Sequence, residues 1–477
     1  MKMLIGGEKV GSSDGKLIPV FNPATGEQID TLPSATKEDI ERAIAVANEA
    51  KKEWAEVPLY ERCNIIRRFA DLLEEHKEEL AWIICRDNGK SIKDCRAEVE
   101  RMPALARGYA ERANHLYTNA LVDAQPGMEH DFFFSQRVPL GVVACVVSYN
   151  YPLSAYTQKV ASSLVMGNAI IIKPATDSAL TCIRATELLY EAGVPGNVAQ
   201  LVTGRGSVMG NYLLDNPGIN AISLTGSKEV GTSVAQNSGK YLHHVFMELC
   251  GNDAFIIFDD ADIRAAVEEA VVKRASNAGQ TCASPKRYLV QRGVVEQFTE
   301  LLVEALKKVK VGDPTDPNTD VGCLITEEAA IDVENQVKHA VEQGAKCVLG
   351  GKRYDRTFFP MTVLTECTEA MDVATDEEIF GPVFTIIPFD TEEDAVRIAN
   401  HSQYGLSGGV MSGDVNRGIR VATKMETGSF VVNGSGNWRP AELPFGGFKY
   451  SGLGREGISA TLEAMSQLRT IIIRNVR

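Results

Sequence analysis

Of the ten cysteines in this 477-residue chain, Cys282 stands apart. It lies in Gly279-Gln280-Thr281-Cys282-Ala283-Ser284, just past a helical stretch from Ala261 to Asn277. A thiol among glycine and small polar residues suits a nucleophile, whereas the plain reading of an isolated cysteine is a small buried residue. Nucleophilic sulfur needs a base or an oxyanion donor beside it. Glu248, in Met-Glu-Leu-Cys-Gly-Asn-Asp, ends an apolar run where a glutamate is out of place. It offers a base; its ordinary alternative is a surface or ion-paired carboxylate. Asn150, in Val-Val-Ser-Tyr-Asn-Tyr-Pro-Leu, offers an amide donor at a strand's carboxyl end, or simply a turn before Pro152.

Two glycine-containing loops could meet a phosphate. Thr225-Gly226-Ser227-Lys228-Glu229-Val230-Gly231 follows an apolar run and opens a helix, so free backbone N–H groups and a positive dipole end face one spot. Gly204-Arg205-Gly206-Ser207-Val208-Met209-Gly210 resembles G-x-G-x-x-G with one residue too many. Such turns after strands are mostly just turns.

The elements that must carry these residues are legible from periodicity. Residues 36–116 are helical in pattern: Thr36 with Asp39 signals a helix start, and Ile40, Ala43, Ile44, Ala47 and Trp54 share a face. Pro58 opens a second stretch that turns Ile65, Ile66, Phe69, Leu72 and Leu73 inward. Phe132 to Val138 alternates as a strand. Gly141 to Val147, Ala169 to Ile172, Val198 to Val202 and Ile219 to Leu224 are short apolar runs, each followed by a turn and helical periodicity. That pattern predicts a doubly covered parallel α/β sheet with ligands beyond the strands' carboxyl ends. A second α/β block runs from 250 to about 440, with AFIIF and YLV as strands, and Leu468 to Ile473 forms a β-prone tail.

Composition narrows the classes. With 49 Lys and Arg against 63 Asp and Glu, the net charge of −14 argues against binding a phosphate backbone, so no nucleic-acid partner is expected. No apolar run reaches the ~18 residues of a membrane helix. The start, MKMLIGGEKVGSSDGK, lacks the apolar core of a secretory signal, which predicts a cytoplasmic protein with free thiols. The cysteines show no zinc spacing, and no metal is expected.

Taken together, the motifs resemble the aldehyde dehydrogenase superfamily over essentially the whole chain. They are Tyr149-Asn150-Tyr151-Pro152-Leu153, Lys173-Pro174-Ala175, Leu224-Thr225-Gly226-Ser227, Glu248-Leu249-Cys250-Gly251, Gly279-Gln280-Thr281-Cys282 and Glu378-Ile379-Phe380-Gly381-Pro382-Val383. Pro444-Phe445-Gly446-Gly447 and Ser451-Gly452-Leu453-Gly454-Arg455-Glu456 complete the series in family order. The resemblance implies a Rossmann-type cofactor domain (1–117 and 139–249), an α/β catalytic domain (250–443) and oligomerisation strands (118–138 and 458–477). It implies a homodimer or homotetramer.

It also implies roles. Cys282 attacks the aldehyde carbon, Asn150 and the Cys282 N–H hold the oxyanion, and Glu248 activates the water that hydrolyses the thioester. Cofactor contacts map to Ser148, Tyr149, Lys173, Thr176, Gly206, Thr225, Gly226, Ser227, Leu249, Glu378 and Phe380. Family members often carry Glu where this chain has Thr176, and Glu repels a 2′-phosphate; the neutral Thr176 beside Lys173 predicts use of NADP as well as NAD. Cys250 replaces a usual glycine, as a packed spectator or a redox partner of Cys282. Ser148-Tyr149 replaces the more usual Pro-Trp or Pro-Phe.

Arg101, Tyr151 and Arg439 resemble the branch holding lactaldehyde and non-phosphorylating glyceraldehyde-3-phosphate dehydrogenases, where matching positions hold an anionic tail. Thr281 stands where the phosphate-using members carry Arg. The expected substrate is a small hydroxylated or anionic aldehyde, such as lactaldehyde, glyceraldehyde 3-phosphate or succinic semialdehyde. The alternatives are a CoA-acylating relative, which generally lacks the base at Glu248, and a non-catalytic structural relative, which would lose the nucleophile.

Overall fold

The computed structural model describes residues 1–122, 125–206, 210–436 and 438–476. Its first helix, Lys37–Glu56, starts where the sequence says: Thr36 accepts from Asp39 N–H and the Asp39 carboxylate accepts in return from Thr36 N–H. Helices Leu59–Glu75, Lys77–Asn88 and Ile92–Ala113 follow, and their apolar faces close over the first sheet.

That sheet has eight strands in the order Glu8–Val10, Met3–Ile5, Ala199–Leu201, Ala169–Pro174, Val142–Val147, Ala221–Thr225, His244–Glu248, Gly452–Leu453. The five central strands are parallel, while Met3–Ile5 and Gly452–Leu453 join antiparallel at either side. The parallel reading therefore holds for the middle of the sheet and not for its margins. Val142–Val147 and Ala169–Pro174 are almost wholly buried, as strands covered by helices on both faces must be. After Val142–Val147 the chain winds outward one way through Ala169–Pro174 and Ala199–Leu201. It then returns to lay Ala221–Thr225 on the other side of Val142–Val147. This reversal opens a crevice at the carboxyl ends of those two strands, where open α/β sheets bind ligands.

A second sheet runs Lys346–Leu349, Thr362–Thr365, Val383–Phe389, Arg287–Gln291, Ala254–Ile257, Gly408–Met411, Val431–Val432, with its own apolar core. The segments carrying Cys282, Glu378 and Cys250 enter this sheet from the amino ends of its strands. The helix expected over Ala261 to Asn277 is Ile263–Ala275, and a tight left-handed turn replaces its end. A third, three-stranded sheet pairs Phe132–Pro139 with both Ala120–Val122 and the tail strand Ser466–Ile473. No helix among the described residues is long and apolar enough to cross a membrane.

Candidate functional site

Asn150 sits just past strand Val142–Val147 and is buried. Its side chain is held at both ends: Oδ1 accepts from the Ser148 hydroxyl at 2.8 Å, and Nδ2 donates to the Gln280 carbonyl at 3.1 Å. Its own carbonyl accepts from Asn277 Nδ2 at 2.8 Å. An amide nitrogen has two hydrogens, so one Asn150 N–H is left for another acceptor. Helix Pro152–Val165 begins two residues on. Glu98 Oε1 accepts from its first-turn Leu153 and Ser154 N–H groups at 3.0 Å each, while Glu98 Oε2 pairs with Lys90 at 2.5 Å. Both charged side chains are buried.

The Cys282 loop is bent by three successive left-handed residues, Asn277, Ala278 and Gly279 (φ 50°, 53° and 75°). At Gly279 a Cβ would stand 2.2 Å from the Gly381 carbonyl oxygen, so this approach requires glycine. Arg274, fully buried, staples the loop by donating to Gly279 O, Val383 O and Ile379 O. Lys286 reaches back to the carbonyls of Thr281 (3.1 Å) and Cys282 (2.6 Å). The Cys282 backbone N–H makes no hydrogen bond among the described residues. Burial pushes the Cys282 thiol well above its ordinary pKa, and the Glu248 carboxylate adds to that; Lys286 and Arg439 oppose it.

Glu248 ends strand His244–Glu248, and its charge acts on the Cys282 thiol. Its Oε1 is buried without a partner. Burial, then the Glu456 charge, push its pKa up to about 7. A cavity lined by Lys159, Glu248, Phe445 and Glu456 lies behind it. Glu456 pairs with Lys159 at 3.6 Å and with Arg439 at 3.7 Å, and the Arg439 guanidinium stacks 3.6 Å from the Phe445 ring centroid.

On the other side of the crevice, Ser227 caps helix Lys228–Ser238 by accepting from Val230 N–H. A Cβ on Gly226 would meet only the Leu224 side chain, at 3.5 Å, while the Gly226 N–H donates to Glu248 O at 3.2 Å. Lys173 is buried, its ammonium makes no hydrogen bond among the described residues, and burial pushes its pKa down to about 8. The Thr176 hydroxyl donates to Gly204 O at 3.0 Å. Gly206 is exposed; Ser207 to Met209 of its turn lie outside the described residues. Leu249 is buried, and its N–H donates to Ser451 O. Tyr149 meets Phe380 edge to face at 6.2 Å. Glu378 accepts from Gly251 N–H and pairs with Lys286, each at 3.2 Å. Burial, then the Glu378 charge, push the Cys250 thiol well above its ordinary pKa.

Among the expected substrate residues, the Tyr151 hydroxyl lies 3.2 Å from the hydroxyls of both Thr281 and Ser276, with the Lys90 ammonium 3.9 Å from its ring centroid. Arg439 is half-exposed beside Glu456. Arg101 stands exposed on helix Ile92–Ala113, with no hydrogen bond or ion pair among the described residues, and no contact joins it to the cluster. Ser148, expected on the cofactor, gives its hydroxyl hydrogen to Asn150. Sequence reasoning missed Lys286, Arg274, Lys90, Glu98, Lys159 and Glu456. A lysine–arginine pair opening the apolar YLV run was the available signal for Lys286.

Residues 10–471 match the aldehyde dehydrogenase family. The chain is 34% identical over 464 residues to lactaldehyde dehydrogenase of Methanococcus maripaludis, covering 96% of this chain and 97% of that one. It is 37% identical over 472 residues to the mitochondrial succinate-semialdehyde dehydrogenase of Arabidopsis thaliana (98% and 88%). Identity to 3-sulfolactaldehyde dehydrogenase of Priestia aryabhattai is 36% over 455 residues (95% and 94%). Among solved structures, betaine aldehyde dehydrogenase from Staphylococcus aureus in complex with NAD+ superposes with a TM-score of 0.96 at 33% identity, covering 100% of this chain and 95% of that one. An NADP-dependent enzyme of E. coli also gives 0.96 at 33% (99% and 98%). The chain belongs to the aldehyde dehydrogenase family. It is an oxidoreductase that oxidises an aldehyde with a nicotinamide cofactor.

Proposed function

We propose that this enzyme converts a small hydroxylated or anionic aldehyde to its carboxylic acid by covalent catalysis at Cys282. The observation that carries this is the convergence of Cys282, Glu248 and Asn150 at one end of the crevice. The Cys282 sulfur bonds to the aldehyde carbon as its thiol proton passes to solvent water and the carbonyl π pair moves onto oxygen. The charge gathering on the former carbonyl oxygen is held by the free Asn150 amide hydrogen and the unbonded Cys282 N–H, a pair typically worth ~10²–10³ in rate per donor. A bound nicotinamide would supply the hydride acceptor for that carbon. Glu248 then removes a proton from water, whose oxygen attacks the thioester; the C–S bond breaks and the acid leaves.

The residues present fit a dinucleotide. The capped helix start at Ser227 and the buried Lys173 ammonium offer donors to a pyrophosphate and an adenosine ribose, and the missing side chain at Gly226 leaves room for their approach. Glu378 and Phe380 offer an acceptor and a ring edge at the nicotinamide end. Use of both NADP and NAD is proposed from the neutral Thr176. Relatives named for lactaldehyde, sulfolactaldehyde and succinate semialdehyde support a short substrate with a hydroxyl or anionic group, and Arg439 at the mouth is the proposed contact for its tail.

Assembly as a dimer or tetramer is proposed through the three-stranded sheet. Leu468, Ile472 and Ile473 are exposed on the tail strand, which lies at that sheet's edge. A cytoplasmic location is proposed from the ten unpaired cysteines. The test is a Cys282→Ala and Glu248→Gln pair, assayed by cofactor reduction with an aldehyde panel, with and without CoA. Cys282→Ala should be inactive. Glu248→Gln should keep a stoichiometric burst while steady turnover collapses; loss of the burst would give Glu248 an earlier role at the thiol, and stimulation by CoA would replace hydrolysis with acyl transfer.

A further inference from the structure

Lys286 is absent from every motif that identified the site, yet its buried ammonium lies at the centre of it. Nζ donates to Cys282 O at 2.6 Å, Thr281 O at 3.1 Å and Ser284 O at 3.3 Å, and it pairs with Glu378 Oε1 at 3.2 Å. Four oxygens thus share three ammonium hydrogens. The loop has curled around a cation.

The geometry of one peptide unit gives this a consequence. Thr281 O and Cys282 N–H belong to the same peptide group, and no peptide bond among the described residues is cis. In a planar trans peptide the C=O and N–H point in opposite directions. An ammonium that draws Thr281 O toward itself therefore turns the Cys282 N–H away from itself. That is the N–H left without an intramolecular acceptor. The same cation polarises the peptide, strengthening the donor on its far side.

We infer that Lys286 is a positioning residue that aims and polarises the Cys282 N–H as the backbone half of the oxyanion site, and that Glu378 shares its ammonium. This rests on the reading of Cys282 as the nucleophile. The left-handed turn at Asn277 to Gly279 delivers the loop, and Arg274 holds its Gly279 end; Lys286 holds the end that reacts. The charged groups facing the Cys282 thiol are Glu248 from its strand, Arg439 from the loop before Pro444, and Lys286 itself. Around Lys286 stand Glu378 and Asp253.

The experiment compares Lys286→Met, Lys286→Arg and Glu378→Gln with the parent enzyme. Two readouts are taken: the rate of the cofactor-reduction burst, and the pH midpoint of Cys282 alkylation by iodoacetamide without aldehyde or cofactor. Lys286→Met, close in length and apolar, should slow the burst by about 10–10²-fold. It should also raise the alkylation midpoint by on the order of one unit. Lys286→Arg should restore both in large part. A folded Lys286→Met enzyme with parental burst and midpoint would overturn the inference, because a space-filling role survives that change. Should Lys286→Met fail to fold, Glu378→Gln decides: it leaves the ammonium unshared and should lower the midpoint, and an unmoved midpoint overturns the inference. A parent enzyme without turnover would sink the functional reading, whereas a parent that turns over while Lys286→Met keeps its burst and midpoint would sink this inference alone.

Discussion

The Ser148 hydroxyl donates to Asn150 Oδ1 at 2.8 Å, which fixes the face of the amide that Asn150 turns to the Cys282 loop. With Oδ1 occupied and one Nδ2 hydrogen spent on Gln280 O, a single donor remains and its direction is set. Without Ser148 the amide can rotate about its last torsion, and the donor is present only part of the time. Ser148→Ala should lower kcat about tenfold with little change in cofactor binding, and Asn150→Ala should lower it by about 10²–10³. Stopped-flow measurement of the burst checks both. Equal losses in the two variants would mean that Ser148 does more than orient Asn150.

A second expectation concerns pH. Glu248 is pushed to about 7 by burial first and by the Glu456 charge next, with Arg439 and Lys159 pulling the other way. It is a base only when ionised, so hydrolysis should fall as pH drops through about 7, giving kcat an acidic limb there. Glu456→Gln removes a like charge and leaves Lys159 and Arg439 acting on Glu248 unopposed. Both changes favour the carboxylate, so the limb should move to lower pH. Arg439→Gln should move it upward. A kcat–pH profile with saturating aldehyde reads both directions, and an unmoved limb in Glu456→Gln would remove Glu456 from the control of Glu248.

Much of this was readable beforehand because it depends on local rules. Thr36 and Asp39 cap their helix through neighbours three residues apart, and the run Val142 to Val147 is apolar because both faces of its strand are covered. Cys282, Glu248 and Asn150 stood out because each breaks the pattern around it. What stayed hidden depends on contacts far apart in the chain. Lys286 looks like a surface residue until the Glu378 segment packs beside it, and Glu98 caps a helix 55 residues away. Arg101, singled out as a cation in sequence, is an exposed helix side chain without an ion pair among the described residues. The edge strands escaped because two- and three-residue pairings have no period to detect.

The buried Lys90–Glu98 pair yields a stability prediction. Lys90 also lies over the Tyr151 ring, so the pair braces the segment between Asn150 and its helix. Lys90→Met strands the Glu98 charge in the interior and should cost about 3–5 kcal/mol. Adding Glu98→Gln removes that charge while keeping an oxygen for the Leu153 and Ser154 N–H groups, so the double variant should recover most of the loss. Urea unfolding of parent, single and double variants measures the difference. A double variant no more stable than Lys90→Met would show that the ion pair itself holds the helix start.

The last prediction is cofactor choice, where one neutral side chain meets two charged neighbours. Thr176 gives its hydroxyl hydrogen to Gly204 O, which keeps its oxygen in place but leaves it without negative charge. Lys173, whose buried ammonium makes no hydrogen bond among the described residues, gains most from an anionic acceptor, because burial pushes its pKa down to about 8 and a phosphate would restore the ammonium. Asp177 works against this. Its carboxyl acts on Lys173, and although burial raises its pKa, Lys173 and Arg205 favour its ionised form. A 2′-phosphate therefore meets the Lys173 ammonium and an Asp177 carboxyl compensated by Lys173 and Arg205, and a 2′-hydroxyl meets the same groups without a net charge of its own. This balance predicts that NADP is used at least as well as NAD by kcat/KM, with neither excluded. Thr176→Glu adds an anion beside the 2′-position, and like charges so placed cost enough to cut NADP use by at least about tenfold more than NAD use. Asp177→Asn should act in the opposite direction and raise NADP use relative to NAD. Measuring kcat/KM for both cofactors in the parent and the two variants decides it: a parent preferring NAD tenfold, with Asp177→Asn leaving that preference unchanged, would place cofactor choice outside this part of the crevice.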